Sequence, residues 1–248
     1  MEYKFTSSCW GFRFWDFPKY CRFMKEIGIS DICAMFKEPN DFPLGIPKNE
    51  KAVKDALKIG EDNGVKFLEI SYAGEEEKEI ELATLLGVKY YRVCTVWEES
   101  EEQLAKTIEM LKRIGELAEK KNLEVVVENH GGLMRTGKMC RRLLEGVALP
   151  NVKLNYDPAN FLYYGEDPVS ALDDVLPFVG FTHFKSVKYQ DGKPMYCRLK
   201  EGVIDYRRIF AKLLPVYDGY IGLEYEEPSD VVEGTLDDLN YIKNLLNL

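Results

Sequence analysis

The chain holds two histidines in 248 residues, and each stands just past a short apolar run. His130 follows Glu128 in "VVVENHGG", and His183 lies in "FTHFKS", two residues before Lys185. Two further acids are placed alike, Asp157 in "LNYDPANF" and Glu224 in "IGLEYEEP". An acid or imidazole at the end of a buried run is costly unless a partner offsets it. Three carboxylates and one imidazole can share such a partner as ligands of one divalent cation. The donor set suits Mn2+, Mg2+ or Co2+ and also admits Zn2+. A cation held there polarises carbonyl and hydroxyl oxygens, so removal of a proton beside a carbonyl is within reach. Taken singly, each residue reads as a solvated loop acid or a hydrogen-bonded histidine. Taken together, they read as one site.

Four such residues meet only if the chain brings strand ends to one place. Strand patterns run over Tyr3–Thr6, Asp31–Met35, Lys66–Ile70, Lys89–Val93, Glu124–Glu128, Val152–Tyr156, Phe181–Lys185 and Tyr220–Glu224. Helical patterns alternate with them. In Ser100–Asn122, Ser100 and Gln103 form a capping box ahead of Leu104, Ile108, Leu111 and Leu117. Asp167-Pro168 and Asp205 read as helix starts, and Gly28, Gly64, Gly87 and Gly219 as helix ends. Eight strand–helix units without a linker predict an α/β fold, a single (β/α)8 TIM barrel spanning residues 1–248. A doubly wound sheet would want a glycine-rich turn after the first strand, where "SSCWGFRFWDFP" stands instead. In a barrel the site lies at the strands' C-terminal ends. Glu128, Asp157, His183 and Glu224 end strands five to eight, at spacings of 29, 26 and 41 residues. Strand alternation gives Val126, Asn155 and Lys185 the same facing.

The formal charge of −9 argues against a nucleic-acid partner, which needs clustered Lys and Arg. Acid runs such as Glu75–Glu81 and Glu98–Gln103 read as solvated helix faces. Six cysteines without a Cys-x-x-Cys pair suggest reduced thiols. The first residues show no secretory apolar core, and no run approaches a membrane span, so a soluble cytoplasmic protein is expected.

With "VVVENHGG", "NYDPANF", "FTHFKS", "KEGVIDY" and "IGLEYE" in this order, the sequence resembles the sugar-phosphate isomerase/epimerase family of xylose-isomerase-like TIM barrels, related to endonuclease IV. The resemblance implies one divalent metal on Glu128, Asp157, His183 and Glu224, with Glu128 and Glu224 as the acid/base pair. It implies a sugar or polyol-like substrate, with an isomerase or epimerase as the leading expectation. His130, Lys185, Arg198, Trp10 and Asn160 are then candidate substrate contacts, and Lys185 could equally balance the carboxylates. Arg92 and the loop cations Lys188, Lys193, Arg198 and Lys200 allow a substrate anion without requiring one. The aromatic run of Trp10, Phe12, Phe14 and Trp15 could wall a pocket or cover an oligomer contact, and a homo-oligomer is compatible with such a barrel. Asn160 stands where the DNA-repair relatives place a metal-binding histidine, which tells against a nuclease. The pairs Glu128-x-His130 and His183-x-Lys185 also resemble dehydratases acting on 3-dehydroshikimate or inosose, in which a His or Lys would take the proton. A non-catalytic sugar-binding barrel is the remaining alternative.

Overall fold

Runs of β-branched and aromatic residues become strands at all eight expected places. A computed structural model describes residues 3–37, 42–74, 77–93 and 97–248. Its strands are β1 (Lys4–Ser7), β2 (Asp31–Met35), β3 (Lys66–Ala73), β4 (Tyr90–Val93), β5 (Glu124–Glu128), β6 (Val152–Tyr156), β7 (Val179–Thr182), a hairpin of β8 (Ser186–Gln190) and β9 (Lys193–Cys197), and β10 (Tyr220–Leu223). Strands β2 to β7 form one parallel sheet in sequence order, and β1 pairs in parallel with β10. Hydrogen bonds from side chains and backbone bridge the two seams. Between β1 and β2, the Thr6 hydroxyl donates to the Asp31 carbonyl at 2.7 Å, and Tyr20 Oη lies 3.0 Å from the Cys33 carbonyl. Between β7 and β10, Thr182 Oγ1 donates to the Tyr220 carbonyl at 2.7 Å, and Phe184 N to the Gly222 carbonyl at 2.7 Å. The result is a closed (β/α)8 barrel.

Gly222 is required at that second seam. A Cβ there would lie 2.1 Å from the Thr182 carbonyl oxygen, a backbone atom that cannot step aside. Gly222→Ala should therefore cost about 1–3 kcal/mol through overpacking. A lower urea midpoint at unchanged slope would show it. An unchanged midpoint would mean that the seam is slack.

Helices α1 (Phe17–Glu26), α2 (Glu50–Asn63), α3 (Glu77–Leu86), α4 (Glu101–Glu119), α5 (Gly137–Val147), α6 (Pro158–Tyr163), α7 (Pro168–Val175), α8 (Tyr206–Leu213) and α9 (Val231–Leu245) lie between and after the strands. The expected caps form. Ser100 accepts from Gln103 N, Asp167 from Ser170 N and Asp205 from Arg207 N. Inside the barrel, Cys33, Leu68, Tyr90, Val126 and Phe181 form the apolar floor below the strand ends.

Four expectations change. β7 begins at Val179, two residues earlier than its pattern suggested, because Gly180 reads as a breaker but lies close against Lys153. The stretch from Ser186 to Ile204, expected to be loop, contains the β8–β9 hairpin. Its turn residues Asp191 and Gly192 have φ of 52° and 75°. Gly219 lacks the positive φ of a helix end and is instead crowded by the Tyr217 ring. Glu79 is buried and ion-paired with Lys48 rather than solvated. Glu75, Glu76 and Cys94 lie outside the described residues, and the other five cysteines are free and buried. Among the described residues, no helix is long and apolar enough to cross a membrane.

Candidate metal centre and active site

Val126 belongs to the barrel floor, so alternation turns Glu128, two residues on, into the barrel above it. Arg92 on β4 is in register with Val126. Its Nη1 donates to Glu128 Oε2 at 2.6 Å and its Nε to Glu69 Oε1 at 2.9 Å. On the other side of Glu128, His183 Nδ1 lies 3.3 Å from Glu128 Oε1 and 2.9 Å from Glu224 Oε1. Glu224 Oε2 accepts from Lys185 Nζ at 2.7 Å. The same ammonium lies 2.9 Å from Asp157 Oδ2 and 2.6 Å from Glu226 Oε1. Asp157 Oδ1 faces away and caps α6, accepting from Ala159 N at 2.8 Å and Asn160 N at 3.2 Å. Asn129 fastens the ends of β5 and β6 by two 2.7 Å bonds to the Asp157 backbone.

Charges in this network shift one another. Burial alone would raise the Glu128 carboxyl, but Arg92 and His183 hold it down at about 2. Burial also opposes Glu224, yet His183 and Lys185 keep it well below the usual carboxylate range. Asp157 goes the other way: burial lifts it to about 7 despite Lys185 beside it. Burial disfavours the Lys185 ammonium, but Asp157, Glu224 and Glu226 raise it well above an ordinary lysine.

Donor atoms of Glu128, His183 and Glu224 all lie within 4.8 Å of one another, and all three residues are buried. Two carboxylate oxygens and an imidazole nitrogen at this separation fit a divalent cation. Asp157 Oδ2 stands one step behind, on Lys185. The residues present therefore suit the group that the sequence pattern implies.

Above the cluster opens a cavity of about 310 Å³, lined among others by Trp10, Arg92, Trp97, His130, Lys185 and Glu226. The His130 ring stands edge-on to Trp97, with centroids 5.2 Å apart, and beside Tyr164. Of the expected substrate contacts, Trp10, His130 and Lys185 reach this cavity. Asn160 does not line it: it is buried, and its Oδ1 accepts from the Tyr196 hydroxyl at 2.6 Å. Arg198 does not line it either. Its guanidinium is bound by Asp230 and Asp237 at α9, with Tyr225 beneath it, so it fastens the hairpin to that helix. Glu69, Glu226 and Trp97 were not anticipated. Glu226 shares facing with Glu224 two residues earlier, the one signal that could have marked it.

The sequence description of xylose isomerase-like TIM barrels matches residues 75–245. The chain belongs to the xylose isomerase-like TIM barrel family. Within and around that family, the inosose dehydratase of Geobacillus kaustophilus (strain HTA426) is 27% identical over 206 residues, covering 65% of this chain and 67% of that one. The chain spans about half to two-thirds the length of the curated dehydratases it matches. Two solved barrels share the fold over nearly their whole length. The "probable 3-DHS dehydratase AsbF" of Bacillus anthracis superposes with a TM-score of 0.76 at 21% identity, covering 97% of this chain and 99% of that one. The D-allulose 3-epimerase of Methylomonas sp. superposes with a TM-score of 0.74 at 15% identity, covering 98% of each. As a xylose isomerase-like barrel, the chain carries its acidic cluster at the strand ends, where such barrels place their sites.

Proposed function

We propose that this barrel is a divalent-metal-dependent dehydratase that removes water from a small cyclic hydroxy ketone. One observation carries the choice over an epimerase. An epimerase needs two carboxylates free to exchange protons with the two faces of one carbon. Here the outer oxygens of both glutamates are engaged, Glu128 Oε2 by Arg92 and Glu224 Oε2 by Lys185. Both carboxyls are also held below their ordinary range, which suits ligands better than bases. The His130 imidazole lines the same cavity, with the Trp97 and Tyr164 rings as its neighbours. Glu128, Asp157, His183 and Glu224 would hold the cation, which when bound supplies Lewis-acid polarisation of the substrate's oxygens.

The remaining work falls to the chain's own groups. His130 takes the proton from the carbon next to the ketone, and the bonding pair becomes the new carbon–carbon double bond. The hydroxyl on the following carbon leaves with the proton that His130 has taken, so that it departs as water, while Lys185 stays an ammonium held by its three carboxylates. The products are an unsaturated ketone and one water. Trp10 and Trp97 present apolar faces to the ring and limit solvent at the reacting carbons.

The epimerase reading keeps one observation in its favour, because Glu128 and Glu224 come from β5 and β10 to the same cavity. Incubation with inosose, 3-dehydroshikimate and D-allulose separates the two readings. Mass loss of one water from either of the first two supports the dehydratase, and His130→Ala should slow it by about 10²–10⁴. Epimerised D-allulose, formed at the same rate by His130→Ala, would overturn it.

A further inference from the structure

Whether the substrate carries a charge can be read from what the cavity leaves unpaired. Among its lining residues, Arg92 and Lys185 carry permanent positive charge. Arg92 is divided between Glu69 and Glu128, and Lys185 among Asp157, Glu224 and Glu226. Five acids thus face two cations, and neither cation has charge to spare for a ligand.

Five basic residues on the surrounding loops, Arg13, Arg135, Lys188, Arg198 and Lys200, are also engaged within the chain. Arg13 lies over the Trp10 ring at 4.6 Å and donates to the carbonyls of Trp10 and Glu226 at 2.9 and 3.1 Å. Arg135 pairs with Glu99, Lys188 with Glu201, and Lys200 with Asp237. Arg198 is held by Asp230 and Asp237. Residues outside the described set contain no Lys, Arg or His, so they bring no basic side chain to the site. The start of α6, where backbone amides could cradle an anion, is filled by the chain's own Asp157. A phosphate or carboxylate brought here would meet the Glu226 carboxylate on the cavity wall, and the positive charge of a bound cation would already be faced by Glu128, Asp157 and Glu224.

The size of the space agrees. About 310 Å³ lies at the small end of ligand cavities, which run from about 300 to 1,000 Å³. One six-membered ring fits, and Trp10 and Trp97 are among the residues that line the space.

We infer that the cavity selects uncharged, single-ring polyol ketones and turns away their phosphorylated or carboxylated counterparts. The inference deepens the dehydratase reading by naming the substrate class of the same site. Calorimetric titration of the Mn2+-loaded chain with two pairs tests it: inosose against 3-dehydroshikimate, and D-allulose against its 6-phosphate. The uncharged member of each pair should bind at least about tenfold more tightly. Glu226→Gln should narrow that gap by weakening the repulsion rather than by strengthening the binding of the uncharged member. An anion that binds equally or better overturns the inference, and so does the failure of both uncharged probes to bind. The two readings fail separately. An uncharged ketone that binds without losing water sinks the dehydratase and leaves the selectivity standing. Dehydration of tightly bound 3-dehydroshikimate does the reverse.

Discussion

Lys185→Met should destabilise the metal-free protein by about 3–5 kcal/mol at pH 8, the range expected when one partner of a buried ion pair is removed. Asp157 and Lys185 are almost wholly buried, and Glu224 nearly so. Methionine fills most of the volume but leaves three carboxylates facing one another without their shared ammonium. The loss should shrink on acidification. Asp157 is already held at about 7, above its value in an unfolded chain, so its protonated form belongs to the folded state. Stability from a carboxyl raised in this way is fully present below its unfolded pKa and disappears as pH rises through 7. Bound divalent cation should restore much of the lost stability, since it binds the folded state and supplies the missing positive charge. Urea unfolding of the variant at pH 5.5 and 8, with chelator and with Mn2+, reads each part. Equal destabilisation under all four conditions would show that Lys185 matters for packing rather than as a counter-ion.

Glu224→Gln should leave a folded protein that no longer holds metal. The amide keeps the volume, and Lys185 keeps two other carboxylates, Asp157 and Glu226. The fold should therefore suffer far less than in Lys185→Met. The cation loses one of the three donors that stand closest together. Its affinity should fall by more than the roughly 10–100-fold seen for loss of an outer supporting residue. After dialysis, elemental analysis should show occupancy dropping from about one ion per chain to near zero, with turnover lost alongside. A variant that retains the ion at full occupancy would show that it sits elsewhere.

Much of this arrangement was legible in the residues. The strands announce themselves as runs of Val, Ile, Tyr and Phe, and a barrel places its chemistry at their ends. That was enough to bring Glu128, His183 and Glu224 to one point. Partnership was harder to read. The sequence left Arg92 equally able to point inward or to pack between barrel and helices, and its sharing by Glu69 and Glu128 depends on the register between three strands. Arg198 was misplaced for the opposite reason: its loop position suggested solvent or substrate, while Asp230 and Asp237 lay too far along the chain to pair by inspection. The "QDGK" turn is a hairpin signal, masked in the sequence by a proline and several charges in the strands beside it.

The caps and ion pairs around the cluster also set how many places a bound cation would have left. Asp157 Oδ1 is taken by the amides of α6, Glu128 Oε2 by Arg92, and Glu224 Oε2 by Lys185. Each glutamate therefore has one oxygen to give and His183 one nitrogen, while both Asp157 oxygens are engaged, Oδ2 by Lys185. A cation held there would draw on these three donors directly, with Asp157 behind them on Lys185. The places left over would be open to the oxygens of a polyol ketone, which such a cation would polarise.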